Sequence, residues 1–156
     1  MKDAGQVILT TPLEGLANEL CEVVKLFYRI DGFSVNPDAA EGEKPAEGSS
    51  LVIRHRFERT GMECRCVFAI GEERQEKTLL LPTVEPERQE LIEKRFIKRM
   101  CKVTLYELLK RLTGQQPPWG SLTGIRPTRL IYEGLADGLT MEEACVRVEQ
   151  TFDVQP

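Results

Sequence analysis

The sequence predicts an α+β fold: a short antiparallel sheet, built as a three-stranded meander with room for an added N-terminal strand, covered by helices and followed by a C-terminal helical segment. Three observations predict it. Leu51, Ile53, His55 and Phe57 alternate with Val52, Arg54 and Arg56, and after Thr60-Gly61 the alternation resumes at Met62, Cys64, Cys66, Phe68 and Ile70, the pattern of a hairpin with one buried face. Ile97, Cys101, Leu105, Leu108 and Leu112 recur at helical spacing before Gly114. Thr140 and Glu143 make the T-x-x-E capping box ahead of Ala144, Val148 and Phe152.

Taken in order, Val7-Ile8-Leu9 is a short β-branched strand, and Thr10-Thr11-Pro12 starts a helix carrying Leu13, Leu16, Leu20, Val24 and Phe27. That helix should fail near Asp31-Gly32. A flexible acidic loop is expected over residues 34–49, where Pro37, Gly42, Pro45 and Gly48 sit among carboxylates. The hairpin follows, then a turn at Gly71-Glu72-Glu73 and a third strand, Lys77-Thr78-Leu79-Leu80-Leu81, halted by Pro82. A long helix covers residues 86–112. Beyond Gln115-Gln116-Pro117-Pro118, Pro127 opens a helix to about Ala136. These signals divide the chain into an α+β domain over 1–114 and, over 115–156, a glycine-punctuated loop with a two-helix extension. The final helix reaches Pro156 without a closing element, as expected of a segment of a longer protein.

Composition narrows the function classes. A chain of 156 residues with 41% hydrophobic and 29% charged residues can bury a core without staples. Its longest apolar runs, such as Leu79-Leu80-Leu81, are too short for a bilayer, and the start Met1-Lys2-Asp3-Ala4-Gly5 has no signal-peptide character, so a cytoplasmic setting is expected. Five cysteines (Cys21, Cys64, Cys66, Cys101, Cys145) without paired spacing are expected to be reduced thiols. The net charge of −4 argues against a nucleic-acid-coating protein, but charge is segregated: residues 86–112 hold eight cations (Arg88, Lys94, Arg95, Lys98, Arg99, Lys102, Lys110, Arg111) against four glutamates. This helix can track phosphates or grip carboxylates; read plainly, it is a solvated face, without interleaved aromatics to stack bases.

No P-loop, dinucleotide-binding, zincin or nucleophile-elbow motif occurs. His55, the single histidine, reads as a structural residue within a strand, since one imidazole does not make a structural zinc sphere. Cys64 and Cys66 share a strand face, which suits core packing with Met62 and Phe68 better than chelation, and no metal ligand is assigned. The distinctive segment runs from Pro118 to Arg129. It holds the only tryptophan, Trp119, glycines at Gly120 and Gly124, Thr123, and the pair Arg126-Pro127, in which the proline confines the arginine to extended geometry. Such a loop can present Arg126, and Arg129 beyond it, to a carboxylate, a phosphate or a neighbouring domain. Equally, it can be a rigid corner with Trp119 plugged into a core.

Leu105-Tyr106-Glu107-Leu108-Leu109, Thr113-Gly114, Pro118-Trp119-Gly120 and Leu122-Thr123-Gly124-Ile125-Arg126-Pro127-Thr128 resemble the N-terminal region of the HemZ-type oxygen-independent coproporphyrinogen III oxidases (coproporphyrinogen dehydrogenases), bacterial radical S-adenosylmethionine proteins. The resemblance implies a parent oxidoreductase of haem biosynthesis that decarboxylates two propionates of a porphyrinogen to vinyl groups, its radical barrel following this domain and acting as its partner. It also implies a [4Fe–4S] cluster on C-x-x-x-C-x-x-C with S-adenosylmethionine on the open iron. This chain lacks that spacing, so it is expected to hold no cofactor itself and to be a noncatalytic accessory domain, with Arg126 and Arg129 facing propionates. Two rival classes are a nucleic-acid-binding module using helix 86–112 and a purely structural or dimerising module packed through Trp119.

Overall fold

A computed structural model describes residues 2–35, 50–118, 120 and 127–153, and the chain divides into two compact units, Met1–Gly114 and Gln115–Pro156. In the first unit the elements run β1 (Lys2–Thr10), α1 (Ala17–Lys25), β2 (Tyr28–Val35), β3 (Ser50–Thr60), β4 (Glu63–Ile70), β5 (Glu73–Leu80) and α2 (Pro86–Thr113), with a 3-10 turn at Glu14–Leu16 leading into α1. The sheet order is β2-β1-β3-β4-β5. β1 lies parallel to both neighbours, and β3, β4 and β5 form the expected antiparallel meander. The fold is therefore α+β with a five-stranded mixed sheet rather than a three-stranded antiparallel one.

The extra strand is β2, and it corrects the reading of residues 28–35. The first helix ends at Lys25, after which Leu26 N–H and Phe27 N–H donate to the Val23 and Val24 carbonyls and tighten the final turn. Asp31-Gly32, read as a stop signal, lies inside the strand. The end of the Gln6 side chain of β1 lies over Gly32, in the space a Cβ would enter. A parallel β1–β2 pair requires a crossover, and α1 supplies it. Ser34 and Val35 belong to β2, so a loop cannot begin at 34; residues 36–49 lie outside the described residues.

α1 and α2 pack together on one face of the sheet. Val7 and Leu9 of β1, Ile53 of β3, Cys64, Cys66 and Phe68 of β4, Leu20, Val23 and Val24 of α1, and Cys101, Leu105, Leu108 and Leu109 of α2 share one core. The fully buried residues of α2 begin at Met100, with half-buried Ile97 packed against the core one turn earlier. Gln89 fixes the start of the helix, accepting from Val84 N–H at 2.8 Å and donating to the Pro82 carbonyl at 3.0 Å. Gly114 closes α2 in the left-handed conformation, φ 68°, with its N–H on the Lys110 carbonyl.

In the second unit α3 (Pro127–Ala136) is followed by α4 (Met141–Phe152). The capping box is present: Thr140 accepts from Glu143 N–H at 3.2 Å and Glu143 accepts from Thr140 N–H at 2.9 Å. Gly134 lets the Ala144 methyl approach to where its own Cβ would clash. Among the described residues no helix is long and apolar enough to cross a membrane.

Candidate functional site

Of the residues singled out in the loop, Trp119, Thr123, Gly124 and Arg126 lie outside the described residues, whereas Gly120, Pro127 and Arg129 lie within them. Gly120 is buried at φ 58° and donates its N–H to the Pro117 carbonyl at 3.0 Å. A Cβ there would run into the Phe152 carbonyl at the end of α4, so this position accepts only glycine. Pro127 is the first residue of α3. Arg129, one turn start later, is exposed and pairs with Glu133 at 3.3 Å. Among the eight cations of α2, Lys94 pairs with Glu90 at 3.0 Å, Lys98 with Glu19 at 3.1 Å and Arg111 with Glu73 at 3.6 Å. Burial pushes the Lys102 ammonium down, with Lys98 adding repulsion.

The structure brings together three residues that sequence alone places separately, on two strands and a helix. His55 on β3, Cys66 on β4 and Cys101 on α2 converge in the core with exposures of 3%, 0% and 0%. Cys66 Sγ is 3.3 Å and Cys101 Sγ 3.7 Å from His55 Nε2, and the two sulfurs are 3.8 Å apart. The imidazole is fixed from two further sides. Its Nδ1 lies 2.8 Å from the hydroxyl of buried Thr11, which also accepts from Leu13 N–H at 3.0 Å, and its ring stacks on Phe68 at 4.2 Å and 1°. The Cys101 hydrogen bond, opposed by burial and aided by His55, holds the Cys66 thiol well below the ordinary range, while the same partner and burial push Cys101 up. The two thiols therefore titrate as one coupled pair.

Part of this cluster was legible. The Thr60-Gly61 turn sets Thr60 opposite Glu63, hence Phe57 opposite Cys66 and His55 opposite Phe68, so His55 and Cys66 are diagonal neighbours on one face. Only the docking of α2 brings Cys101, and that register is not a local property of sequence. The three donors all converge within the reach of one ion. A cubane cluster spreads its thiolates over separate irons, so this arrangement does not fit a [4Fe–4S] group.

The opposite face of the sheet carries a groove of about 280 Å³ whose lining includes Arg54, Arg56, Arg65 and Arg74 together with Glu58 and Glu76. Arg65 donates to both Glu76 carboxylate oxygens, at 3.0 Å for the Nη2 contact, and Arg54 donates to the Gly71 carbonyl at 3.2 Å. The groove is cationic on balance, with Val67 and Ala69 at its floor.

The chain is similar to the oxygen-independent coproporphyrinogen-III oxidase-like protein HemZ of Bacillus subtilis (strain 168), with 28% identity over 148 residues, 92% of this chain and 26% of that protein. It thus spans about a quarter of the length of the relative it matches. The resemblance read from residues 105–128 extends over nearly the whole chain. No family model matches the sequence.

Proposed function

We propose that this chain serves as a noncatalytic N-terminal accessory domain of an oxygen-independent coproporphyrinogen III oxidase-like enzyme, a cytoplasmic bacterial oxidoreductase of haem biosynthesis. The observation that carries the reading is the match itself: 92% of this chain against 26% of a HemZ protein. The absence of C-x-x-x-C-x-x-C from the 156 residues agrees with it, because the cluster and S-adenosylmethionine chemistry then belongs to a radical barrel elsewhere in the parent. In this reading the barrel is the domain's partner, and Arg126 and Arg129 meet propionate carboxylates of a porphyrinogen, Arg129 exchanging its exposed Glu133 partner for the substrate.

The test uses the full-length enzyme. Removing residues 1–156 should leave the cluster and reductive cleavage of S-adenosylmethionine intact while lowering porphyrinogen turnover. Arg126→Ala and Arg129→Ala should each raise KM for the porphyrinogen more than they lower kcat. Turnover unchanged by the deletion would sink the accessory role; unchanged KM in both variants would remove the substrate contact and leave a domain that only packs against the barrel.

A further inference from the structure

We propose that His55, Cys66 and Cys101 form a buried binding site for a single thiophilic d10 cation, Zn²⁺ or Cu⁺. The inference stands apart from the accessory-domain reading, because it rests on this unit's own core.

Geometry makes the case. With Zn–S bonds of about 2.3 Å and Zn–N bonds of about 2.0–2.1 Å, a tetrahedral ion holds two sulfurs about 3.8 Å apart and a sulfur and nitrogen about 3.5 Å apart. The protein sets the sulfurs 3.8 Å apart and the imidazole nitrogen 3.3 and 3.7 Å from them. These separations match those of three donors shared by one ion.

The second argument is the support behind the histidine. A ligating imidazole needs Nε2 unprotonated and Nδ1–H held by an acceptor. Thr11 already accepts from Leu13 N–H, and its hydroxyl oxygen, 2.8 Å from Nδ1, can accept from Nδ1–H in the tautomer that frees Nε2. Phe68 stacked on the ring prevents it from swinging the nitrogen away from the sulfurs. The three donors sit on three different elements, β3, β4 and α2, so a bound ion staples the meander to the helix that covers it.

The chemistry of the donors selects the ion. Two thiolates and one neutral imidazole are soft, which excludes Mg²⁺ and Ca²⁺. With Zn²⁺ the site is electrically neutral, as an apolar surrounding favours; with Cu⁺ it keeps one negative charge but satisfies a trigonal ion with three donors. Both ions demand the same residues, and the experiment separates them.

The reduced 156-residue chain is titrated anaerobically with Zn²⁺ against a competing colorimetric chelator, in parallel with Cu⁺ against a Cu⁺-selective one, and with Co²⁺ as a spectroscopic stand-in. One equivalent of Zn²⁺ or Cu⁺ taken up, with a thiolate-to-cobalt charge-transfer band, supports the site and names its ion. Cys66→Ser and Cys101→Ser should each weaken uptake beyond the roughly 10–100-fold expected for Thr11→Val, which removes only the outer support. Cys21→Ser and Cys145→Ser should leave uptake unchanged. The wild-type titration decides even where a core variant does not fold: uptake of neither ion, or uptake without a thiolate band, overturns the proposal. Binding that survives intact in a folded Cys66→Ser or Cys101→Ser variant overturns it as well.

Discussion

Along β3 the chain alternates between two environments within a single residue. Ile53 and His55 face inward and are buried, while Arg54 and Arg56 between and beyond them are exposed; on β4 buried Cys66 and Phe68 alternate with exposed Arg65 and half-buried Val67 in the same way. Both faces carry polar groups, yet on different terms. On the inner face each polar atom has a fixed partner: Thr11 for His55 Nδ1, two sulfurs for Nε2. On the outer face four arginines share a groove with two glutamates and with water. The difference teaches that a polar side chain inside this sheet is tolerated only as part of a closed set, whereas outside it each is separately replaceable.

The largest expected effect comes from breaking the inner face at its aromatic. Phe68→Ala empties a fully buried site beside His55 and should cost about 3–5 kcal/mol in urea-induced unfolding. Thr11→Val comes next. It keeps the shape but strands Leu13 N–H and His55 Nδ1, and the same denaturation measurement should register a loss of about 1–3 kcal/mol.

Crossing to the outer face should make effects vanish. Arg65→Ala, which removes an exposed ion pair with Glu76, should leave the urea midpoint where it was; a shift as large as that of Thr11→Val would erase the distinction between the faces. The smallest pH-dependent effect belongs to the pair between Arg59, near the end of β3, and Glu93 of α2. Arg59, and then Gln89, hold the Glu93 carboxyl below the ordinary carboxylate range. A lowered folded value means that the stabilisation is complete above the unfolded pKa and lost as pH falls through the folded one. Glu93→Gln should therefore lower the melting temperature slightly at neutral pH and converge with the parent chain in acid, flattening the acid limb of the profile below about pH 5.

The meander β3–β5 was legible because its turns are local: Thr60-Gly61 and Gly71 reverse the chain, both glycines with positive φ, and alternation fixes which side is buried. β5 nevertheless begins at Glu73, four residues ahead of the expected Lys77, because its exposed first half carries no apolar alternation. The stripe on α2, its stop at Gly114 and the Thr140–Glu143 box were legible for the same reason. β2 was not. Leu13 to Phe27 continue one helical pattern with no proline before Tyr28, and Asp31-Gly32, a local stop signal, lies inside the strand. Nor can a run such as Val7-Ile8-Leu9 announce that it sits between two parallel partners, since pairing is settled by distant residues. At the cluster, the hairpin register made His55 and Cys66 readable together, but Cys101 joined them only through the docking of α2. Of the glycine-punctuated loop, the structure speaks for Gly120, Pro127 and Arg129.

The central position of β1 also has a consequence in time. Strands β3, β4 and β5 can find one another through short turns, but Val7 must reach Leu51 on one side and Phe33 on the other, closing long loops before any pairing is gained. The first strand synthesised is thus among the last to be seated. In pulse-labelled hydrogen exchange during refolding, amides of β4 should become protected before those of β1, and until β1 arrives the inner edge of β3 stands open to pairing with another chain.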